Sequence, residues 1–325
     1  MLLNSANPSG RSNGAVWHCP RNAGPAKAAD HESVVVERRS GLSAAEFRER
    51  YLLPRVPVVL NDASAAWPIH GHGTPDYFRN RHGTQRLQFL GGEILLAALL
   101  DRLEASTPSQ PAPYPCKFGI AREFSRLLDQ VSPRIAFSVP DRQNSRLLPQ
   151  RLFSGVNNLE IFFGGPGGRF PYLHYDVLHL HAWITQLHGE KEFVLYAPSQ
   201  QPFLYAKPAV PWQSDIRNHH EPDLERYPLF RHARAHNITI RAGETLFLPC
   251  GWWHTARSVS MTISIAHDQL GSDNWPDFVR DVVSERRRNG KAVAAHLLDA
   301  YLRLASPPMV LAEALGHRDT GWGSR

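Results

Sequence analysis

The sequence predicts a mainly β protein with flanking helices, built around a barrel or double-sheet jelly roll. Three observations point there. Between Asn158 and Ala266, eight short apolar runs follow one another, separated by turns containing Gly and Pro. Both flanks of that stretch carry helix signals instead. And a chain of 325 residues with 42% hydrophobic and 20% charged residues has the composition of a foldable globular protein, large enough for one catalytic domain with extra helices.

The elements read as follows. Residues 1–30 are rich in Ser, Asn, Gly, Pro and Ala and lack the continuous apolar stretch of a signal peptide, so a mobile tail is expected. Order is expected from about Ser33, in an N-terminal helix and strand region over residues 31–157. Val34–Val36 reads as a short strand. Ser43 with Glu46 three residues later forms a capping box for a helix over 44–51. Val56–Asn61 reads as an apolar strand, Pro75–Arg81 as a short helix, Gln85–Leu90 as a strand, and Glu93–Ala105 as a helix. The four prolines of Ser106–Pro115 make a loop, Glu123–Gln130 is helical, and 131–150 is loop.

The barrel is expected over 158–270. Its strands are Leu159–Phe163, Leu173–Val177, Ala182–His188, Glu192–Tyr196, Ile238–Arg241, Thr245–Leu248, Thr255–Val259 and Met261–Ala266. The long piece 199–236 lacks period-two alternation and reads as an insert across the barrel, of the kind that often carries function. Trp212, Arg217, Tyr227 and Arg231 make it the expected substrate-facing loop. Residues 271–325 return to helix: Pro276–Arg287 after a cap at Asp273 or Asn274, then Lys291–Leu304 and Pro308–Leu315. Ala294, Leu297, Leu298, Tyr301, Leu302 and Leu304 form an amphipathic stripe. Either the barrel flank or a second subunit can cover it, so a homodimer through the C-terminal helices is one expectation.

Charge and cysteine usage narrow the class. The formal charge of +6 comes from Arg scattered along the chain rather than from a basic block, so nucleic-acid binding is not indicated. Cys19, Cys116 and Cys250 form neither a CxxC pair nor a disulfide framework, which fits a reduced, cytoplasmic setting. No run approaches eighteen apolar residues, so no membrane span is expected.

Four His-x-Asp/Glu triplets occur: His174/Asp176, His188/Glu190, His219/Glu221 and His317/Asp319. Context separates them. The second straddles Gly189 at a turn, the third sits in a polar loop, and the fourth lies near the C-terminus. The first lies in Leu173-His-Tyr-Asp-Val177, read as a strand end, where residues i and i+2 share a face and can reach one ion. A third ligand must come from a strand distant in sequence. His254, 78 residues beyond Asp176, follows a turn glycine, a buried strand, a Pro/Gly break and two tryptophans. Two histidines and one carboxylate with open coordination positions suit non-haem Fe(II). Taken singly, His254 is more often a hydrogen-bonded core residue than a ligand, and Trp252 and Trp253 more often core than site.

The runs Phe170–Asp176, Gln186–Phe193, Val194–Gln200, Gly243–His254 and Met261–Ala266, with Phe47–Val58 ahead of them, together resemble the JmjC/cupin-like family of Fe(II)- and 2-oxoglutarate-dependent oxygenases. Within it they are similar to the asparaginyl hydroxylases of the hypoxia-factor-inhibiting type and their bacterial cupin-like relatives. The resemblance covers about residues 33–270 and implies a double-stranded β-helix core. It also implies a hydroxylase of a protein or peptide side chain, or of a small molecule, using Fe(II), 2-oxoglutarate and O2. By position His174, Asp176 and His254 match the iron ligands. Lys191, in Gly189-Glu-Lys-Glu-Phe193, matches the lysine that binds the far carboxylate of 2-oxoglutarate. A buried ammonium needs an anionic partner, which a dicarboxylate supplies; outside the motif, a surface lysine in a charged turn would be the plainer reading.

Three positions depart from the pattern. A Thr or Ser serving 2-oxoglutarate is replaced by Pro171, leaving Tyr172 as the nearest hydroxyl. A polar position after the His-x-Asp is taken by His179 and His181. An Asn on the last strand is replaced by Ala266, where Thr262 and Ser264 share the same face and can line the pocket. The 2-oxoglutarate contacts expected beside Lys191 are therefore Tyr172, Thr262, Ser264 and His179. Two rivals stay open: a metal-binding cupin enzyme without 2-oxoglutarate, and a non-catalytic binding module.

Overall fold

The computed structural model describes residues 36–153, 159–315 and 322; the expected tail, Val34 and Val35, and the His317/Asp319 triplet lie outside them. In chain order the elements are β1 (Glu37–Arg39), α1 (Ala44–Phe47), β2 (Val58–Leu60), α2 (Pro75–His82), β3 (Arg86–Phe89), β4 (Gly92–Leu95), α3 (Leu96–Glu104), β5 (Cys116–Gly119) and α4 (Ile120–Glu123). The second half holds β6 (Leu159–Gly164), β7 (His181–His188), β8 (Glu190–Tyr196), β9 (His236–Arg241), β10 (Thr245–Leu248), β11 (Trp253–Ser258), β12 (Thr262–Gln269), α5 (Trp275–Arg288) and α6 (Ala292–Ala314).

Two sheets face each other. The larger runs β1-β2-β10-β7-β12-β6-β5 and the smaller β11-β8-β9. All pairings are antiparallel except β1 with β2. Alternation explains why these strands read as continuous apolar runs. In β7, Trp183 and Leu187 point outward into a core with Phe47, Phe78 and Leu100, whereas Ala182 and Ile184 point inward. There they meet Phe193 and Leu195 of β8 and Ile238 and Ile240 of β9. A strand buried on both faces shows little polar alternation. This two-sheet, antiparallel architecture with helices on its flanks is the expected jelly-roll core.

Several local readings hold. Ser43 caps α1 with the capping box in place: its Oγ accepts from the Glu46 amide, and Glu46 accepts from the Ser43 amide. Thr74 caps α2 ahead of Pro75. Others shift. Glu93 belongs to a hairpin rather than a helix, because Leu90 and Gly91 both take positive φ and close the two-residue turn that pairs Gln88 with Glu93. The helix starts only at Leu96. Leu173–Val177 is not a strand: it pairs at His174 alone, with His254 on one side and Gln213 on the other. The chain then turns through positive φ at Leu178 and His179 to enter β7. The stretch 123–130 breaks into short turns after α4. The two C-terminal helices are one, running through Pro307 and Pro308. These prolines lack the N–H groups that Arg303 and Leu304 carbonyls would accept, and they sit on an exposed face where water can serve instead.

The loop after α4 carries a buried ion pair whose carboxylate also ties it to the end of β12. Arg134 donates to Asp141 at 2.9 Å, both side chains being 2% exposed. Asp141 also accepts from the amides of Gln143 and Leu270. Removing the cation alone leaves a buried carboxylate with too few partners. Arg134→Ala will therefore destabilise the protein by about 3 kcal/mol or more, read as a lower urea midpoint at an unchanged slope.

Candidate metal centre

The pair of backbone hydrogen bonds between His174 and His254 (3.0 and 2.6 Å) brings the first triplet to the second residue of β11. With Trp253 fully buried on the outer side among Leu173, Val194 and Ile216, alternation turns His254 inward. The rings of His174 and His254 then lie 4.3 Å apart. One donor atom from each of His174, Asp176 and His254 falls within 4.8 Å of the other two, and Nε2 of His254 is 3.9 Å from Oδ1 of Asp176. Nδ1 of His254 lies 3.1 Å from the Trp252 carbonyl. Donation to that oxygen fixes the tautomer and leaves Nε2 with its lone pair toward Asp176.

His174 is held by stacking on Phe170 (4.6 Å) and by the edge of Tyr172 (5.2 Å). Burial, with His254 adding to it, lowers its basicity well below the usual imidazole range, so the ring is in the neutral form a metal requires. Its Nδ1 is buried without a hydrogen-bond partner among the described residues. Two imidazoles, one of them held neutral by burial, and a carboxylate fit a divalent first-row metal.

The centre opens into a cavity of about 210 Å³ between the sheets. Lys191 enters it from β8. The residue is only 4% exposed, and Nζ is surrounded by the rings of Phe162, Phe193 and Tyr114 at 5.0, 5.5 and 5.6 Å. Its hydrogen-bond partner among the described residues is Ser264 Oγ at 3.5 Å. Burial brings its pKa down to about 7. A buried cation that pairs with no carboxylate among the described residues is a site for an anionic ligand.

The remaining expected residues separate. Tyr172 lines the cavity next to His174. Ser264 is beside Lys191, its hydroxyl donating to Gln186 at 2.7 Å. Thr262 lies beyond the cavity wall, bonded to Ser258 and to the Gly164 carbonyl. His179 is directed elsewhere: its left-handed backbone turns the ring to Asp281 of α5, at 2.6 Å. Of the insert's residues, Trp212 reaches the cavity. Backbone bonds from Tyr175 to Trp212 and from Ser214 to Leu173 stitch the insert to the ligand segment. Tyr227 instead bonds Asp215, Arg231 bonds the Pro228 carbonyl, and Arg217 is exposed.

Other lining residues had no signal in the sequence. Tyr114 comes from the proline-rich loop; its ring is on the cavity wall 5.6 Å from Lys191 Nζ, and its hydroxyl is buried without a partner among the described residues. Lys117 and Glu160 meet across β5 and β6 at 3.1 Å, and Asp268 extends the inward face of β12. Burial, reinforced by Asp176 and Glu160, pushes the Asp268 carboxyl well above its usual range.

Residues 44–267 match the family model described as "Cupin-like domain". The chain is 25% identical over 253 residues to the lysine-specific demethylase JMJ30 of Arabidopsis thaliana, covering 71% of this chain and 54% of that protein. It is 25% identical over 282 residues to the arginine-specific demethylase JMJ20 of the same plant, covering 75% and 60%. It is 34% identical over 134 residues to the human tRNA wybutosine-synthesizing protein 5, covering 41% and 40%. The chain thus spans only part of the length of each of these relatives, 40% to 60%.

Proposed function

The chain belongs to the cupin-like (JmjC-type) family, and from that premise we propose that it is an Fe(II)- and 2-oxoglutarate-dependent oxygenase that oxidises a C–H bond of a protein side chain or a small molecule. His174, Asp176 and His254 would hold the iron. Iron and 2-oxoglutarate, when bound, supply the activation of O2. The observation that carries the reading is Lys191: a buried ammonium in the cavity of the metal centre, with no acidic partner among the described residues.

The chain's own residues divide the remaining work. Lys191, with the Ser264 hydroxyl at 3.5 Å and the Tyr114 ring 5.6 Å away, binds the far carboxylate of 2-oxoglutarate. Phe162 and Phe193 exclude water from that end, which strengthens the charge pairing. At the iron end, Tyr172 and Trp212 present aromatic faces to the prime substrate, and Asp268 supplies a carboxyl that can donate or accept. The position of Trp212 follows from its backbone ties to the ligand segment, so the insert and the metal centre form one surface.

The test is succinate formation from 2-oxoglutarate with Fe(II) and O2, scored against a His174→Ala control. Turnover above the control supports the reading. Iron binding without any 2-oxoglutarate binding would favour a metal-binding cupin of another kind. Tyr114→Phe refines the assignment. A lost hydrogen bond to a charged group costs about 1.5–3 kcal/mol, so KM for 2-oxoglutarate will rise roughly 10- to 100-fold while iron affinity stays constant. An unchanged KM removes Tyr114 from the site.

A further inference from the structure

A second cavity, of about 320 Å³ against about 210 Å³ for the metal cavity, opens between the C-terminal end of α2 and the end of α4. Arg81 and His82 line it from α2, Thr84 from the turn that follows, and Glu123, Ser125 and Arg126 from the opposite side. No residue lines both cavities. Phe124, also on its wall, packs on Phe163 of β6 at 6.2 Å. The neighbouring Phe162 faces Lys191 instead, so β6 stands between the two cavities.

The charges of this wall do not balance. Arg81 and Arg126 have no acidic partner among the described residues. Both act on one half-buried ring: burial lowers the basicity of His82, and Arg126 and Arg81 add to the effect. Like charges gathered around a concave polar wall repel one another, and an anion relieves them. Glu123 does not supply that anion. Its Oε1 accepts from Arg122 at 2.7 Å, which makes a neutral pair, and its Oε2 is buried without a partner among the described residues. With His82 neutral, the two free arginines leave an excess of two positive charges. That excess matches a phosphate monoester, which carries nearly two negative charges at neutral pH, better than a phosphodiester, which carries one. Guanidinium forks pair phosphate oxygens two at a time, and the hydroxyls of Thr84 and Ser125 add neutral donors. The free oxygen of Glu123 can only accept, so it suits a hydroxyl on the organic part of the ester.

We propose that this cavity binds a hydroxyl-bearing phosphate monoester, with its phosphoryl group between Arg81 and Arg126 and a hydroxyl on Glu123. Ribose 5-phosphate is titrated calorimetrically into the full chain carrying Lys191→Met, so that the metal cavity draws no anion. Saturable binding of one equivalent is expected. Arg81→Gln and Arg126→Gln should each weaken it at least about tenfold, the cost of a lost hydrogen bond to a charged group. Both side chains are exposed, so the variants should melt with the parent. Should either misfold, Arg81→Lys or Arg126→Lys takes its place, since an ammonium cannot pair two phosphate oxygens and affinity should still fall. Methyl phosphate, which has the charge without the hydroxyls, should bind more weakly than ribose 5-phosphate. Dimethyl phosphate, with a single charge, should bind more weakly again. No binding at roughly 10 mM overturns the proposal, as does binding that survives the arginine variants unchanged. Methyl phosphate binding as tightly as ribose 5-phosphate overturns the hydroxyl contact. Dimethyl phosphate binding as tightly as methyl phosphate overturns the monoester and points to a nucleic-acid backbone instead.

Discussion

Replacing His174 by alanine will abolish iron-dependent turnover while leaving the fold intact. Both halves follow from how the residue is held. Its backbone is locked to His254 by two hydrogen bonds that do not involve the ring, so the ligand segment stays in place. Its Nδ1 is buried without a partner among the described residues, so truncation removes no side-chain hydrogen bond to them at that atom. What is lost is one of three metal donors. Changes in the outer shell of a metal site cost about 10- to 100-fold, and a direct ligand will cost more, in iron affinity and turnover alike. Anaerobic titration with Fe(II) and 2-oxoglutarate checks it: the weak visible band that forms when both are bound should be absent in the variant. A retained band would remove His174 from the ligand set. The variant should also differ in acid. The folded His174 imidazole resists protonation, whereas the unfolded one takes up a proton near 6.5. That difference makes the wild-type apoprotein lose stability as pH falls through 6.5. His174→Ala lacks this part of the acid sensitivity, measurable as a smaller drop in Tm between pH 7 and pH 5.

The grouping of His174, Asp176 and His254 was legible because it combines a short-range motif with a long-range one, each with its own turn chemistry. The sequence alone did not show how they meet. The strand expected at Leu173–Val177 is a single paired residue, and what aligns the histidines is the register of that one pair with β11. Strand alternation was a good guide to Ser264 and a poor one to Thr262. Both face inward from β12, but Thr262 sits at the rim, where Ser258 and Gly164 close over it. His179 was misread because alternation assumes extended backbone, and here two consecutive residues take positive φ. Tyr114 was invisible for the opposite reason. It sits in a proline-rich stretch with no periodicity, and only the pairing of β5 with β6 carries it to the cavity wall. At the C-terminus the apolar stripe was real, but two prolines suggested a break where the helix continues, and the stripe divides between two faces.

Lys191→Met will weaken 2-oxoglutarate binding on the order of 100-fold and will make the apoprotein more stable. The two effects have one cause. The ammonium is buried among aromatic rings with a single hydroxyl near it, so the folded chain carries an uncompensated desolvation cost. That cost is recovered only when an anion enters. Methionine has a similar volume and no charge, and swaps of that kind are well tolerated in a core. The pH dependence separates this account from loss by misfolding. With the folded pKa near 7, the lysine is charged below that value, and binding of a carboxylate takes up no proton there. Above it, binding must first restore the proton, so affinity falls by up to about tenfold per pH unit. The unfolded lysine stays protonated to about 10.5, so between 7 and 10.5 the unfolded state binds more protons and wild-type stability rises with pH. The methionine variant should show neither slope. Isothermal titration with 2-oxoglutarate at several pH values and thermal melts over the same range measure both. Iron affinity should be unchanged throughout, since Lys191 lies outside the ligand set. A variant that binds 2-oxoglutarate as tightly as the parent, or whose affinity keeps the parent's pH slope, would mean that the carboxylate is held elsewhere and that the buried ammonium serves another anion.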